Sequence, residues 1–191
     1  VDRSKSMPLW VTDFPLVAYD EDEGRFHAEH HPFTAPAEAD LPLLFEATAE
    51  GSQIEPFRIE AMRAQGYDLT MDGSELGSGS VRIHRQDVQE AVFRLLGMDA
   101  EEVARRFGWF VDALQYGTPP HGGIGLGLDR LVTLLLGEET IQDVIAFPKT
   151  LAASDLMSEA PAAVEVEQLR DLHLKLDLPA AAGDDQGPAE R

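Results

Sequence analysis

Apolar positions recur at helical spacing in two stretches of the chain. Over residues 86–96, Val88, Ala91, Val92, Leu95 and Leu96 fall at i, i+3, i+4, i+7 and i+8, and Gly97 supplies a stop. A second stripe, Val103, Phe107, Phe110, Val111 and Leu114, predicts a helix that starts at Asp99 and ends at Gly117, before Pro119-Pro120. Glu102, three residues after Asp99, stands where a capping box needs it. Elsewhere the period is two. Tyr67, Leu69 and Met71 alternate with Asp68 and Thr70, and Asp72-Gly73 marks a turn. In residues 75–84, Val81 and Ile83 point to one side and Ser80, Arg82 and His84 to the other. Residues 9–19 read as a strand interrupted by Pro15. Phe26 to His31 reads as a second strand, joined to the first by the acidic turn from Asp20 to Gly24.

Residues 122–128, GGIGLGL, alternate in an unusual way. Gly123, Gly125 and Gly127 fall on one face, and Ile124, Leu126 and Leu128 on the other. A helix is expected from about Asp129 to Leu136, and a short one from Glu167 to Leu172. Residues 35–56, rich in Ala, Pro and Glu, read as loop with weak helix. Strand and helix signals are mixed along the chain. Residues 1–178 are read as one portion of a domain and 179–191 as a disordered acidic tail.

Charge then narrows the function. The 191 residues carry 35 Asp and Glu against 15 Lys and Arg, a net charge of −20, which excludes a basic carpet for nucleic acid. The acid is uneven: residues 1–75 carry −11, residues 76–149 only −3, and residues 150–191 carry −6. With no cysteine, thiol nucleophiles, disulfides and cysteine metal sites are excluded. The longest apolar run, around Leu131 to Leu136, is too short to span a bilayer, and VDRSKSMPLW lacks a signal-peptide core. A cytoplasmic location with no membrane partner is therefore expected.

The balanced middle holds the candidate chemistry. A strand face of three glycines either lets a planar group lie on the backbone or accepts another packed element. Arg130 follows it directly and can stack on a base, reach a phosphate, or pair with Asp129 or Glu138. Arg82, on the polar side of its strand, can grip a carboxylate or make a structural ion pair. Glu75 can hold Mg²⁺ with phosphate oxygens or be a solvated strand-end acid. His30 and His31, adjacent on a strand, should point to opposite sides, so they do not form one metal site.

The segments DFPL, HHPFTAP, YDL, ELGSGSVRIH, FRLLGM, ALQYGTPPHGGIGLGLDRL, DVIAFPKT and DLMSEAP, in this order and spacing, resemble the bacterial-type aspartyl-tRNA synthetases. The resemblance runs from about residue 9 to residue 172, over the C-terminal part of the family's catalytic domain. GIGLGLDRL is similar to motif 3 of class II synthetases, PHGG points to the aspartate/asparagine branch, and GLDR favours aspartate. The resemblance implies an α+β fold, a partial catalytic domain with an antiparallel sheet flanked by helices. It implies an aspartate–tRNA ligase that activates L-aspartate with ATP and Mg²⁺ and passes it to tRNA-Asp, with tRNA-Asn as a second acceptor candidate and a homodimer as the full-length form. Gly127, Leu128, Asp129 and Arg130 then match the ATP-binding stretch. Glu75 matches the acid that holds ATP through Mg²⁺, Arg82 the residue that grips the aspartate side chain, and His30 a residue near the amino acid. The resemblance also implies that Ser78 and Ser80 flank glycines in a strand that lines the pocket. Arg82, Arg130 and Glu75 would act by positioning and charge stabilisation.

The chain departs from the family in reading DGSELGSGS where NGxExGGGS is common, and SEAPA where TGAPS is usual. Motif 1, motif 2 and the anticodon-binding domain are not found. The chain is thus expected to be a C-terminal fragment, inactive alone. A non-catalytic paralogue or remnant that binds nucleotide, and an amidating enzyme on the same sheet, are the alternatives open at this point.

Overall fold

The elements run β1 (Pro8–Thr12), β2 (Val17–Asp20), β3 (Arg25–Ala28), α1 (Leu41–Ala47), α2 (Pro56–Glu60), β4 (Gly66–Met71), β5 (Ser74–Val81), α3 (Gln86–Leu95), α4 (Ala100–Leu114), β6 (Gly122–Leu126), α5 (Leu128–Leu136) and α6 (Val166–Asp171). They come from a computed structural model that describes residues 6–177, so the tail expected at 179–191 lies outside the described residues. The contacts divide the chain between Val144 and Ile145 into two units.

In the first unit, β1, β4, β5 and β6 form an antiparallel sheet in that order, and β2 and β3 form a separate hairpin. The expected α+β architecture of sheet and flanking helices is present. One irregularity governs the sheet. Asp68 pairs with Ser78 and Leu69 with Gly77, but Thr70 pairs with Glu75, so Leu76 is an extra residue in β5. Such a bulge reverses the side to which later residues point. Glu75 and Arg82, seven positions apart, would face opposite sides of a regular strand. With the bulge, both share the side that carries Asp68, Thr70, Ser78, Ser80, Gly123 and Gly125.

The core sits beyond one end of this sheet. Leu16 and Val17 at the hairpin, Leu44 of α1, Ile59 and Met62 around α2, Ile83, and Val88, Ala91, Val92 and Leu95 of α3 are buried together. The stripe at 86–96 thus faces where its period predicts. Phe93 is wholly buried. It stacks on Phe107 of α4 with centroids 5.0 Å apart, and Phe33 meets both edge-on. Asp99 caps α4 by accepting the Glu102 N–H at 2.8 Å, as its spacing predicts.

Three local readings are corrected. The strand expected over Phe26 to His31 ends at Ala28, because the chain bends at Glu29 and His30 and re-pairs at Thr34 with Arg82. The strand expected over 122–128 ends at Leu126, because Gly127 turns into α5. Helix α2 was not expected: the reading of 35–56 stops where the helix begins, at Pro56, and Ile59 buries it.

The second unit carries α6, whose Glu165 and Gln168 form a capping box. Asp155 bridges both Lys149 and Ala160 there. Its carboxylate accepts the N–H groups of Met157 and Ser158, which hold it below its ordinary pKa. Among the described residues no helix is long and apolar enough to cross a membrane.

Truncating Phe93 to Ala removes the ring that joins α3 to α4. The expected cost is about 3–5 kcal/mol in urea denaturation; a loss below about 1 kcal/mol would mean that this aromatic contact does not hold the helices together.

Candidate functional site

The polar side of the sheet is bare where it meets β6. A Cβ built on Gly123 meets no heavy atom within 4 Å, and one on Gly125 meets only the Ser78 carbonyl oxygen at 3.9 Å. Among the described residues, no packed element covers these two glycines. Gly127 does not join them: its Cβ position faces the Leu76 carbonyl oxygen at 3.5 Å and the Arg130 side chain at 3.6 Å. The expected row of three is therefore a pair plus a turn. On the other side of the sheet the glycines do close-packing work. A Cβ on Gly79 would collide with the Gly123 carbonyl oxygen and lie 2.6 Å from the Tyr67 ring. Tyr67 meanwhile donates its hydroxyl to Gly123 O at 3.1 Å.

At one end of this surface, Arg130 reaches from the first turn of α5 back to β5. Its Nη1 donates to the Glu75 carbonyl oxygen at 2.8 Å and lies 3.8 Å from Glu75 Oε1. Both residues are candidates from the sequence alone, and the fold joins them across 55 positions. They line an open cavity of about 560 Å³ with Thr133, Glu138 and Glu139. Asp129 is exposed, and its carbonyl oxygen accepts the Thr133 hydroxyl within α5. Leu128 is exposed.

At the other end stands Arg82, half-buried. No carboxylate of the described residues lies within salt-bridge distance of it, so it is not the structural ion pair that its type suggests. Its guanidinium contacts the His31 ring, 2.9 Å from Nδ1. The Phe33 N–H also donates to that nitrogen at 3.2 Å. Burial first, and the nearby Arg82 charge second, hold His31 below its ordinary pKa of 6.5. His30 packs 3.4 Å from the Cβ position of Gly66 and edge-on to Phe14. The two histidines were expected on opposite sides of a strand. Because the chain bends there, one meets the sheet at Gly66 and the other meets Arg82.

Two polar groups on the same side of the sheet complete the set. Ser80 is 4% exposed and its hydroxyl has no hydrogen-bond partner. Asp68 carries a buried carboxylate oxygen, Oδ1, that is likewise unpartnered. Such atoms call for a ligand, an ion or water. Asp68 was read from sequence only as the polar member of an alternation, and only the register beside Glu75 marks it. From Glu75 to Arg82 the strand spans about 20 Å, the reach of an elongated ligand rather than of one small ion.

The family model of tRNA synthetases class II (D, K and N) matches residues 1–151. An aspartate–tRNA(Asp/Asn) ligase of Heliobacterium modesticaldum is 53% identical over 182 residues, covering 95% of this chain and 28% of that protein. An aspartate–tRNA ligase of Geobacillus kaustophilus is 54% identical over 179 residues, covering 94% of this chain and 28% of that protein. The chain thus spans little more than a quarter of the length of these relatives. Among solved structures, an aspartyl-tRNA synthetase of Entamoeba histolytica superposes with a TM-score of 0.52 at 22% identity, over 76% of this chain and 23% of that one. An asparaginyl-tRNA synthetase of the same organism, in complex with asparaginyl-adenylate, gives 0.51 at 24%, over 76% and 26%. These two likenesses show the fold.

His31 provides a test of the site's electrostatics. With its pKa lowered in the native state, the unfolded chain takes up a proton first as pH falls below about 6.5. Native stability therefore declines with falling pH through the window just below 6.5, and His31→Gln flattens that decline. An NMR titration midpoint for His31 at or above 6.5 would contradict the burial and the Arg82 contact together.

Proposed function

The chain belongs to the class II tRNA synthetases of the aspartate, lysine and asparagine branch, and from that premise we propose that it supplies the motif 3 part of an aspartate–tRNA ligase active site. The observation that carries the reading is the bulge at Leu76, which gathers Glu75, Arg82 and the two uncovered glycines on one side of the sheet.

In this reading the adenine of ATP lies over the backbone at Gly123 and Gly125, with Gly127, Leu128, Asp129 and Arg130 forming the nucleotide end. Arg130 stacks on the base, and its hydrogen bond to the Glu75 carbonyl oxygen supports a preset position. Arg82 receives the side-chain carboxylate of L-aspartate. With Nη1 turned to His31 and no carboxylate partner, the Nε/Nη2 edge of the guanidinium is left for that group, a bidentate arrangement that a neutral asparagine amide matches poorly. A neutral His31 braces the cation without competing for the anion. His30 borders the amino acid.

Glu75 and the unpartnered oxygen of Asp68 are hard oxygen donors on one side of the sheet, a set that fits Mg²⁺. When bound there, the ion would neutralise phosphate charge. The chemistry balances in two steps. An α-carboxylate oxygen of aspartate attacks the α-phosphorus of ATP, the bond to the β-phosphate oxygen breaks, and pyrophosphate leaves. A hydroxyl of the 3′-terminal adenosine of tRNA then attacks the acyl carbon, and AMP leaves. The protein contributes orientation and charge complementarity rather than a covalent nucleophile. The proposed acceptor is tRNA-Asp, with tRNA-Asn as a second candidate, and the proposed full-length form is a homodimer.

In the longer protein that contains this segment, Arg82→Ala is expected to lower aspartate-dependent ATP–pyrophosphate exchange by about 10²–10⁴-fold. Gly125→Ala should raise the KM for ATP at least about tenfold while leaving the melting temperature unchanged, since its Cβ enters open space. The 191-residue chain alone should support no exchange. Undiminished exchange in the Arg82→Ala enzyme would refute the assignment.

A further inference from the structure

Helix α3 buries one polar side chain that packing does not explain. Gln89 is wholly buried, beside Val88, Ala91, Val92, Phe93 and Leu95 of the same helix. Its Nε2 donates to the Pro32 carbonyl oxygen at 2.8 Å, across 57 positions. Its Oε1 is buried and has no hydrogen-bond partner. Burying an amide costs stability unless its polar atoms are paired. An apolar side chain of similar volume, such as that of Met, would fill the space without leaving an orphaned acceptor. What the amide supplies, and Met would not, is the bond to Pro32.

That bond acts on the turn that carries His31. The Pro32 carbonyl and the Phe33 N–H belong to one planar peptide group, so fixing the direction of one fixes the other. Gln89 holds the oxygen of this plane, and its N–H donates to His31 Nδ1 at 3.2 Å. The Thr34 hydroxyl lies 3.3 Å from the same nitrogen, and Arg82 Nη1 lies 2.9 Å from it. The far end of the turn is tied to the strand that bears Arg82: the Ile83 N–H donates to the Phe33 carbonyl oxygen at 2.9 Å, and Thr34 bridges Arg82. The Phe33 ring, 4.9 Å from Phe110, anchors the turn to α4. A relay of short contacts thus runs from Gln89 through one peptide plane and one imidazole to the guanidinium.

We propose that Gln89 is a positioning residue for recognition of the aspartate side chain. It aims the Pro32–Phe33 peptide plane, that plane orients His31, and His31 orients Arg82. The inference rests on the role of Arg82 as the carboxylate-binding residue, and it extends the specificity apparatus to a side chain that touches no substrate.

The test uses the longer protein that contains this segment. Gln89→Met keeps the volume and removes both the donor and the orphaned acceptor. In ATP–pyrophosphate exchange the KM for L-aspartate is expected to rise about 10–100-fold, with kcat and the KM for ATP within about twofold of the parent and an unchanged thermal melt. The Gln89→Met/His31→Gln double variant should be no worse than the poorer single variant, because both changes act through the same ring. Gln89→Leu repeats the measurement with a differently shaped side chain. An unchanged KM for aspartate in folded Gln89→Met, equal rises in the KM for aspartate and for ATP, or additive losses in the double variant would each overturn the role. Failure of both Gln89 variants to fold would also overturn it, since Gln89 would then serve the core. Arg82→Ala separates the two levels. Full exchange in that variant removes the reading of the site itself, whereas lost exchange there with a normal aspartate KM in Gln89→Met removes only the role of Gln89.

Discussion

One extra residue in a strand decides which side chains this protein can bring together. Side chains alternate across a sheet with a period of two, so a shift of one residue moves everything beyond it to the opposite side. Leu76 is that residue. It puts Glu75, at the start of β5, on the same side as Ser78, Ser80 and Arg82. The ends of that row then meet partners from distant chain segments: Arg130 from α5 at one end and His31 from the loop after β3 at the other. The bulge is also fastened from outside β5. The Leu76 carbonyl oxygen accepts the Gly127 N–H at 2.7 Å, at the junction of β6 and α5. The same hydrogen bond that ends the glycine strand thus anchors the irregularity that organises the polar residues.

Sequence patterns foretold this architecture unevenly. Helices α3 and α4 were legible because their apolar stripes are long and their ends are marked by Gly97, Asp99 and Gly117. Strand β4 was legible from plain alternation. The bulge was not, because it is a property of pairing: nothing in DGSELGSGS alone says that Leu76 is unpaired. For the same reason Asp68 looked like an ordinary polar member of an alternation. The histidine pair was misread because a strand was extended three residues too far, and orientation in a bend follows from what the bend packs against, here Gly66 and Arg82. Arg130 and Glu75 were identified as chemical candidates one at a time. Their contact is a product of topology, since β6 returns beside β5 before α5 begins.

The glycines show how one residue type serves opposite ends. Gly79 lies where β5 and β6 press closest, and a methyl group there would strike the Gly123 backbone and the Tyr67 ring. Its bareness is demanded by packing. Gly123 and Gly125 face open space, so packing demands nothing of them, and a strand with no side chain there forfeits stability that a β-branched residue would supply. An uncompensated loss of this kind is hard to explain by folding alone. It makes physical sense if the backbone itself is the contact surface for something flat.

Net charge and local charge then separate cleanly. The chain carries −20 overall, yet the sheet side proposed to receive an anionic nucleotide and an anionic amino acid has a guanidinium near each end. Long-range repulsion between this chain and such ligands is screened over about 8–10 Å at ordinary ionic strength. A half-buried cation acts at closer range and is screened less. Arg82 gains from this because the ring beside it is held neutral: a protonated His31 would add charge but would also repel the guanidinium and loosen its orientation. Burial of His31 therefore does electrostatic work at a distance from any ligand. It leaves the Arg82 cation beside a ring whose charged form is disfavoured, in a protein whose average field points the other way.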